Sequence, residues 1–235
     1  MRSPVSLARS TLLLAALGAC ASPGRERALG SRDWTLPAEL HGARLSFELS
    51  DPPAFEWREG ERGPELVLAR AAQYAPPVRA PQAIALFTET AFDEFVLEVE
   101  LAQTGREYAH RDLCLFFGYR GPAQFGYVHL ASAADENAHG VFLVDGAPRR
   151  QVTTSRSTGV AWGEPGTWHK VRLERRAGRV RVWFDGSGEP VLEADAAPFA
   201  PGFLGFGSFD DVGAMRALTI SGTVAPRPAG ALFSR

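Results

Sequence analysis

The stretch WHKVRLERRAGRVRVWFDG, residues 168–186, decides the fold. Val171 and Leu173 alternate with Lys170, Arg172 and Glu174, and after Ala177 and Gly178 the alternation resumes with Val180, Val182 and Phe184 against Arg179, Arg181 and Trp183. A period of two places the apolar set on one face and the charged set on the other. Two such runs joined by a tight turn predict an antiparallel hairpin with one dry and one wet face.

Working outward, FVLEVEL (95–101) repeats the pattern, with Phe95, Leu97, Val99 and Leu101 opposite Glu98 and Glu100. DLCLFFGY (112–119) and FGYVHLA (125–131), separated by RGPA, predict a second hairpin. The first of these is apolar on both faces, so it belongs in the middle of a sheet. HGVFLVDG, EPVLEAD, FLGFGSF and MRALTISG supply further strands, with Asp145 and Gly146 as a turn. The only helical signal is one turn at AADENAH (133–139). Many short strands with 24 Gly and 17 Pro predict an all-β, two-sheet jelly-roll sandwich.

The N-terminus carries Arg2 and Arg9, then the apolar run TLLLAALGA and Cys20, the layout of an export leader. The run is about half the roughly 20 residues a spanning helix needs. Leu17, Gly18, Ala19 and Cys20 resemble the lipobox of bacterial lipoproteins, which implies cleavage before Cys20 and acylation of its thiol. Ala21 in place of Asp implies, by the same resemblance, an outer-membrane address, facing the periplasm or the cell surface. The expected organisation is a signal peptide over 1–19, a lipidated tether over 20–33, a β-sandwich over 34–225 and a C-terminal tail over 226–235. The chain has a formal net charge of -2, too mild for a nucleic-acid partner. With Cys20 lipidated, Cys114 is left as a single thiol inside an apolar strand, expected to be buried and inert.

The segments FGYVHLA, HGVFLVDGAPRR, GVAWGEPGTWHKVRLER, RVWFDG and FLGFGSFDDVGAMRALTISG resemble the concanavalin A-like lectin and glucanase superfamily, nearest to the bacterial 3-keto-disaccharide hydrolase-like domains. The resemblance covers His110 to Gly222 and implies a jelly roll with one concave sheet that holds carbohydrate. A fold hosts many functions, so the chemistry must come from the site.

Sugar recognition needs aromatic faces and forked polar groups. Tyr127 and His129 share a strand face and could line a concave sheet, or could pack beneath a loop. The loop DENAH offers Asp135, Glu136, Asn137 and His139, either as binding groups or as a polar turn. Arg149, followed by Arg150, suits sugar hydroxyls or a structural ion pair. Trp162, in a Gly-rich segment, is a stacking platform if exposed, and Trp183 is either that or cation–π packed surface. The expected carbohydrate contacts are therefore Tyr127, His129, Asn137, His139, Arg149 and Trp162.

Asp210 and Asp211 could ligate calcium or cap a turn. For catalysis, the E-x-D-x-x-E strand of family 16 glycoside hydrolases is absent, since Glu193 and Asp195 are followed by Pro198 where the last Glu should fall. No G-x-S-x-G, H-E-x-x-H or P-loop occurs. A glycan-cleaving enzyme would draw its acid or base from Asp135, Glu136 or His139. Two main readings stand, a lipid-anchored carbohydrate-binding module and a glycan hydrolase, with a structural envelope protein as the third.

Overall fold

A computed structural model describes residues 31–35 and 47–234. The leader, Cys20 and most of the tether lie outside the described residues. Among the described residues helix is confined to one 3-10 turn at Pro52–Ala54, and the expected turn at AADENAH is a series of bends.

The organising element is β5, a 21-residue strand spanning Ala83–Gln103. Its first half pairs with β2 (Phe47–Leu49) and β14 (Gly202–Ser208), and its second half with β11 (Trp168–Arg176) and β15 (Gly213–Ala225). One strand thus serves two layers. The first layer continues from β14 through β6 (Asp112–Gly121), β7 (Gln124–Ala131), β8 (Gly140–Asp145) and the short β9 (Arg150–Gln151). The second continues from β11 through β12 (Arg179–Phe184), β13 (Leu192–Asp195) and β10 (Thr153–Arg156). On the other side of β5, β15 pairs with β4 (Gly63–Leu68), which hairpins with β3 (Phe55–Gly60), and with β1 (Ser31–Thr35). β1 begins at Ser31, inside the span expected to be tether.

The deciding hairpin forms as read: Val171 faces Phe184 and Leu173 faces Val182 across β11 and β12. Ala177 and Gly178 take φ of 50° and 75°, the left-handed pair that a two-residue hairpin turn requires. Leu173, Val180 and Val182 then meet Leu113, Leu115, Val128 and Leu130 of the first layer in one dry interior. Removing this apolar area from water is the main force closing the sandwich.

The first layer is also dry on its outer side. Ile84, Leu86, Cys114, Phe116, Phe125, Tyr127, Phe142 and Phe203 form a second cluster there. It is covered by Tyr74, Val78 and Ala80 from the segment before β5, and by Leu232 and Phe233 from the C-terminal tail. Tyr119 donates its hydroxyl to the Leu232 carbonyl at 2.8 Å, and Phe233 packs edge-on to Tyr74 at 5.6 Å. So the face expected to be an open, wet sugar platform is filled by the chain itself.

Candidate functional site

At one end of the sandwich four connections converge: 104–111 between β5 and β6, 132–139 between β7 and β8, 157–167 between β10 and β11, and 209–212 between β14 and β15. Antiparallel pairing puts them there, because Asp112 sits opposite Ala131 and Gly213 opposite Gln103. Main-chain bonds stitch them together: Ala133 N donates to Ala109 O at 2.9 Å, Ala134 N to Thr158 O at 2.9 Å and Thr104 N to Val212 O at 3.1 Å. Loops on a rigid sheet are where binding groups concentrate.

Tyr108 stands at the rim with 36% of its surface exposed. Its phenol donates to Asp211 Oδ2 at 2.6 Å, and the Arg106 guanidinium lies 5.3 Å from its ring centroid. Burial, then the Asp211 bond, hold the phenol protonated. Beside the ring runs an open groove of about 480 Å³, lined by Glu107, Tyr108, Arg111, Ser132 and Trp162 among others. Arg111 is buried; its Nη2 donates to Gly163 O at 2.6 Å, while Nη1 has no hydrogen-bond partner and lies 3.9 Å from the Glu107 carboxylate. An anchored aromatic ring, the Glu107 carboxylate and the Ser132 hydroxyl thus share one groove, with the buried Arg111 among its lining. None of Glu107, Tyr108 or Arg111 stood out in the sequence; the available signal was a Tyr among Gly, Arg, Glu and His between two strands.

Below the rim lies a carboxylate cluster. Asp112, 1% exposed, accepts from Ser208 Oγ at 3.0 Å, and its main-chain N–H donates to Asp211 Oδ2 at 2.9 Å. Oxygens of Asp112, Asp210 and Asp211 all lie within 4.8 Å of one another. Burial, then the Asp211 charge, push the Asp112 carboxyl well above the ordinary range, and Asp210 is raised by the same two causes. The Cys114 thiol donates to Asp112 Oδ2 at 3.2 Å and is pushed up by burial, as an inert core thiol should be.

The sequence-nominated residues separate into two groups. Tyr127, His129, His139 and Trp162 are at most 4% exposed, so none offers an open ring face for stacking, although Trp162 reaches the lining of the groove. Trp162 is a core residue whose Nε1 donates to Leu130 O at 3.3 Å, which removes it as an exposed stacking platform. Tyr127 accepts from Arg149 Nη1 at 2.9 Å, and that guanidinium lies over Phe142 at 4.8 Å and Phe209 at 4.4 Å. Arg149 is therefore occupied within the protein. His129 Nδ1 accepts the main-chain N–H of His139 at 3.2 Å, leaving its Nε2 3.5 Å from Asp112. Burial, then Arg149, lower the His129 imidazole to about 3; burial and Arg156 lower His139 to about 4. Both rings are neutral at ordinary pH.

Asp135, Glu136 and Asn137 lie at the loop end. Asp135 accepts from Asn137 N at 2.7 Å, the mark of a local turn. It also meets His110 Nε2 at 2.7 Å. Burial would raise its carboxyl, but the Asn137 N–H and His110 outweigh it and hold it ionised. Glu136 is exposed. His139, with no exposed surface, is shut off from substrate as acid or base. Trp183 is roofed by Arg172 at 5.0 Å, on the wet face of the second layer.

No family model matches the chain, and no curated protein matches it. Solved structures share its fold. The carbohydrate-binding module CBM66 from Bacillus subtilis is 12% identical, with 76% of this chain and 97% of that one aligned at a TM-score of 0.53. A Bacillus subtilis protein of unknown function with a galectin-like fold is 14% identical, over 84% of this chain and 98% of that one, at a TM-score of 0.51. At such identities the likeness establishes an all-β jelly-roll architecture and leaves the site to its own geometry.

Proposed function

We propose that this domain is a carbohydrate-binding module, held at the cell envelope by lipid on Cys20, that takes glycan in the groove beside Tyr108. The observation that carries the reading is the half-exposed Tyr108 ring fixed by its bond to Asp211. A ring held in place stacks on a sugar face with little ordering cost. Glu107 and Ser132 beside it supply the polar groups that fix hydroxyl positions. A fold shared with a carbohydrate-binding module supports the reading.

The site differs from the contact set Tyr127, His129, His139, Arg149 and Trp162, which now serves as its scaffold. Asn137 and Asp135 remain near the rim. The hydrolase reading, of the 3-keto-disaccharide hydrolase-like kind, would need two carboxyl groups about 5 Å or more apart across a substrate. Asp112 and Asp211 are buried, and Asp135 is paired with His110. Binding without turnover is the reading this geometry favours.

The test is a glycan array and calorimetry on the chain from residue 20 with Cys20→Ser, alongside product analysis on ordinary and oxidised disaccharides. Saturable binding without product supports the module. Turnover abolished by Asp135→Asn or Glu136→Gln would replace it with the enzyme, and neither binding nor turnover would leave the structural option. In cells, Cys20→Ser is expected to release the protein from membranes; retention would sink the lipid anchor.

A further inference from the structure

We infer that the open edge of β3 is a self-association surface, through which two copies of this chain pair antiparallel about Trp57. The inference does not depend on the glycan reading.

β3 is the last strand reached from β5 through β15 and β4; it pairs with β4 and, among the described residues, with no other strand. The hairpin turns through Glu61 and Arg62 alone, since Gly60 is in register with Gly63. Such a turn closes on a hydrogen-bonded pair. Counting back by twos through the antiparallel alternation directs the main chain of Gly60, Arg58 and Glu56 toward β4, and that of Glu59, Trp57 and Phe55 toward the open side. Phe55 fits the count, because its N–H donates to Pro52 O in the preceding 3-10 turn. An open row of main-chain donors and acceptors is a template for another strand. Trp57 stands in the middle of that row and is 44% exposed, the most exposed large apolar side chain among the described residues. Phe47 meets its ring edge-on at 5.8 Å and covers only part of it.

The charge pattern selects a second copy as the occupant. Sheet edges are usually guarded by charges that repel an incoming strand, but here the guards differ in sign on either side of Trp57. Glu56 and Arg58 lie on the face opposite Trp57, both are exposed, and their printed ion pair is with each other. Antiparallel pairing centred on Trp57 sets Trp57 against the partner's Trp57, Glu56 against the partner's Arg58 and Arg58 against the partner's Glu56. The two internal ion pairs then close into a ring of four alternating charges. These pairs fall at the non-hydrogen-bonded positions, where opposite side chains come closest and opposite charges stabilise the pairing. Slipping the register by two residues opposes two guanidiniums at position 58 or two carboxylates at position 56. One register is therefore favoured, and it has the two-fold symmetry of a closed dimer. So short a strand pair buries little surface, which makes the association weak and concentration-dependent.

The experiment is sedimentation of the chain from residue 20 with Cys20→Ser over a wide range of concentration. The mass of the particle is expected to rise from one chain toward two. Arg58→Glu sets Glu against Glu56 across the edge, and Glu56→Arg sets Arg against Arg58, so each variant alone is expected to stay monomeric at concentrations where the parent pairs. Mixing the two variants opposes an acidic strand to a basic one and is expected to restore a dimer containing one of each, a result that misfolding of either variant would not produce. Trp57→Ser is expected to weaken the dimer about tenfold. A parent that is monomeric throughout would overturn the inference and leave the edge to another extended segment, residues 36–46 of this chain included. A dimer indifferent to Arg58→Glu would place the contact on another surface, and a dimer lost in both variants but not regained on mixing would remove the charge pairing; either result overturns the inference as well. Dimerisation with no glycan bound on the array would overturn the glycan reading alone.

Discussion

Tyr108 and Asp211, separated by 103 residues in the chain, meet in a 2.6 Å hydrogen bond that ties the β5–β6 connection to the β14–β15 connection. The bond has two separable functions, orienting the ring and joining the loops. Tyr108→Phe keeps the ring and loses a bond to a charged acceptor, so it is expected to lower stability by about 1.5–3 kcal/mol while glycan affinity falls little. Tyr108→Ala also loses the stacking face and is expected to weaken glycan binding about tenfold. Chemical denaturation and calorimetry on the two variants separate the effects; equal affinity losses would mean the ring is not the platform.

Arg149 gives the opposite expectation. Its guanidinium is held by the Tyr127 hydroxyl at 2.9 Å and by the faces of Phe142 and Phe209. Arg149→Met keeps much of the stem packing and removes these contacts, so stability is expected to fall by about 2 kcal/mol. Glycan affinity of the folded protein is expected to stay within twofold. A large affinity loss at full folding would return Arg149 to the contact set.

Much of this architecture was legible because β11, β12 and the second half of β5 alternate cleanly, which fixes both period and inward face. The outer face of the first layer was misread for a physical reason. Phe125, Tyr127 and His129 alternate with Val128 and Leu130, and such a strand is dry on both sides if anything covers it. The cover comes from Tyr74 to Ala80 and from Leu232 and Phe233, irregular stretches whose docking leaves no periodic trace. Trp162 was misread for a related reason: its Gly-rich segment resembles an exposed loop, while its indole reaches Leu130 through the fold. The DENAH loop and the Asp210–Asp211 pair were legible and do fall at one end. Their partners Tyr108 and Asp112 became visible only once pairing brought the strand ends together.

The neutral imidazoles set the acid limb of stability. His129 and His139 are lowered to about 3 and about 4, while in the unfolded chain both titrate near 6.5. Above that value their contribution is fully present. As pH falls below it, the unfolded chain takes protons the folded one refuses, and stability drops. Asp112 acts in the other direction, because its raised carboxyl stabilises the fold at low pH and loses that contribution as pH rises through its folded value. Each imidazole costs about 1.4 kcal/mol per pH unit between 6.5 and its folded value, and Asp112 offsets part of this wherever its carboxyl is protonated only in the folded protein. His139→Asn suits the left-handed φ of 50° at that position and is expected to flatten the slope by a similar amount. Denaturant titrations at several pH values measure it, and an unchanged slope would show that His139 takes up its proton in the folded protein.

Gly159 tests whether the loop end must be closed for binding. Its φ is 146°, and a Cβ there would overlap the Ser132 carbonyl. The contact matters because Val160 N donates to Ala131 O at 3.0 Å and Ala134 N to Thr158 O at 2.9 Å on either side of it, joining the loop that carries Trp162 to the loop that carries Asp135. Gly159→Ala can be accommodated only by moving the two loops apart, so it is expected to cost about 2 kcal/mol or more and to lower glycan affinity with it. Gly146 is the matched control: its φ of 68° is also left-handed, yet nothing lies within 4 Å of an added Cβ. Gly146→Ala is expected to cost about 1 kcal/mol of backbone strain and to leave binding intact. If both variants lost stability equally and neither lost affinity, loop closure would have no part in forming the groove.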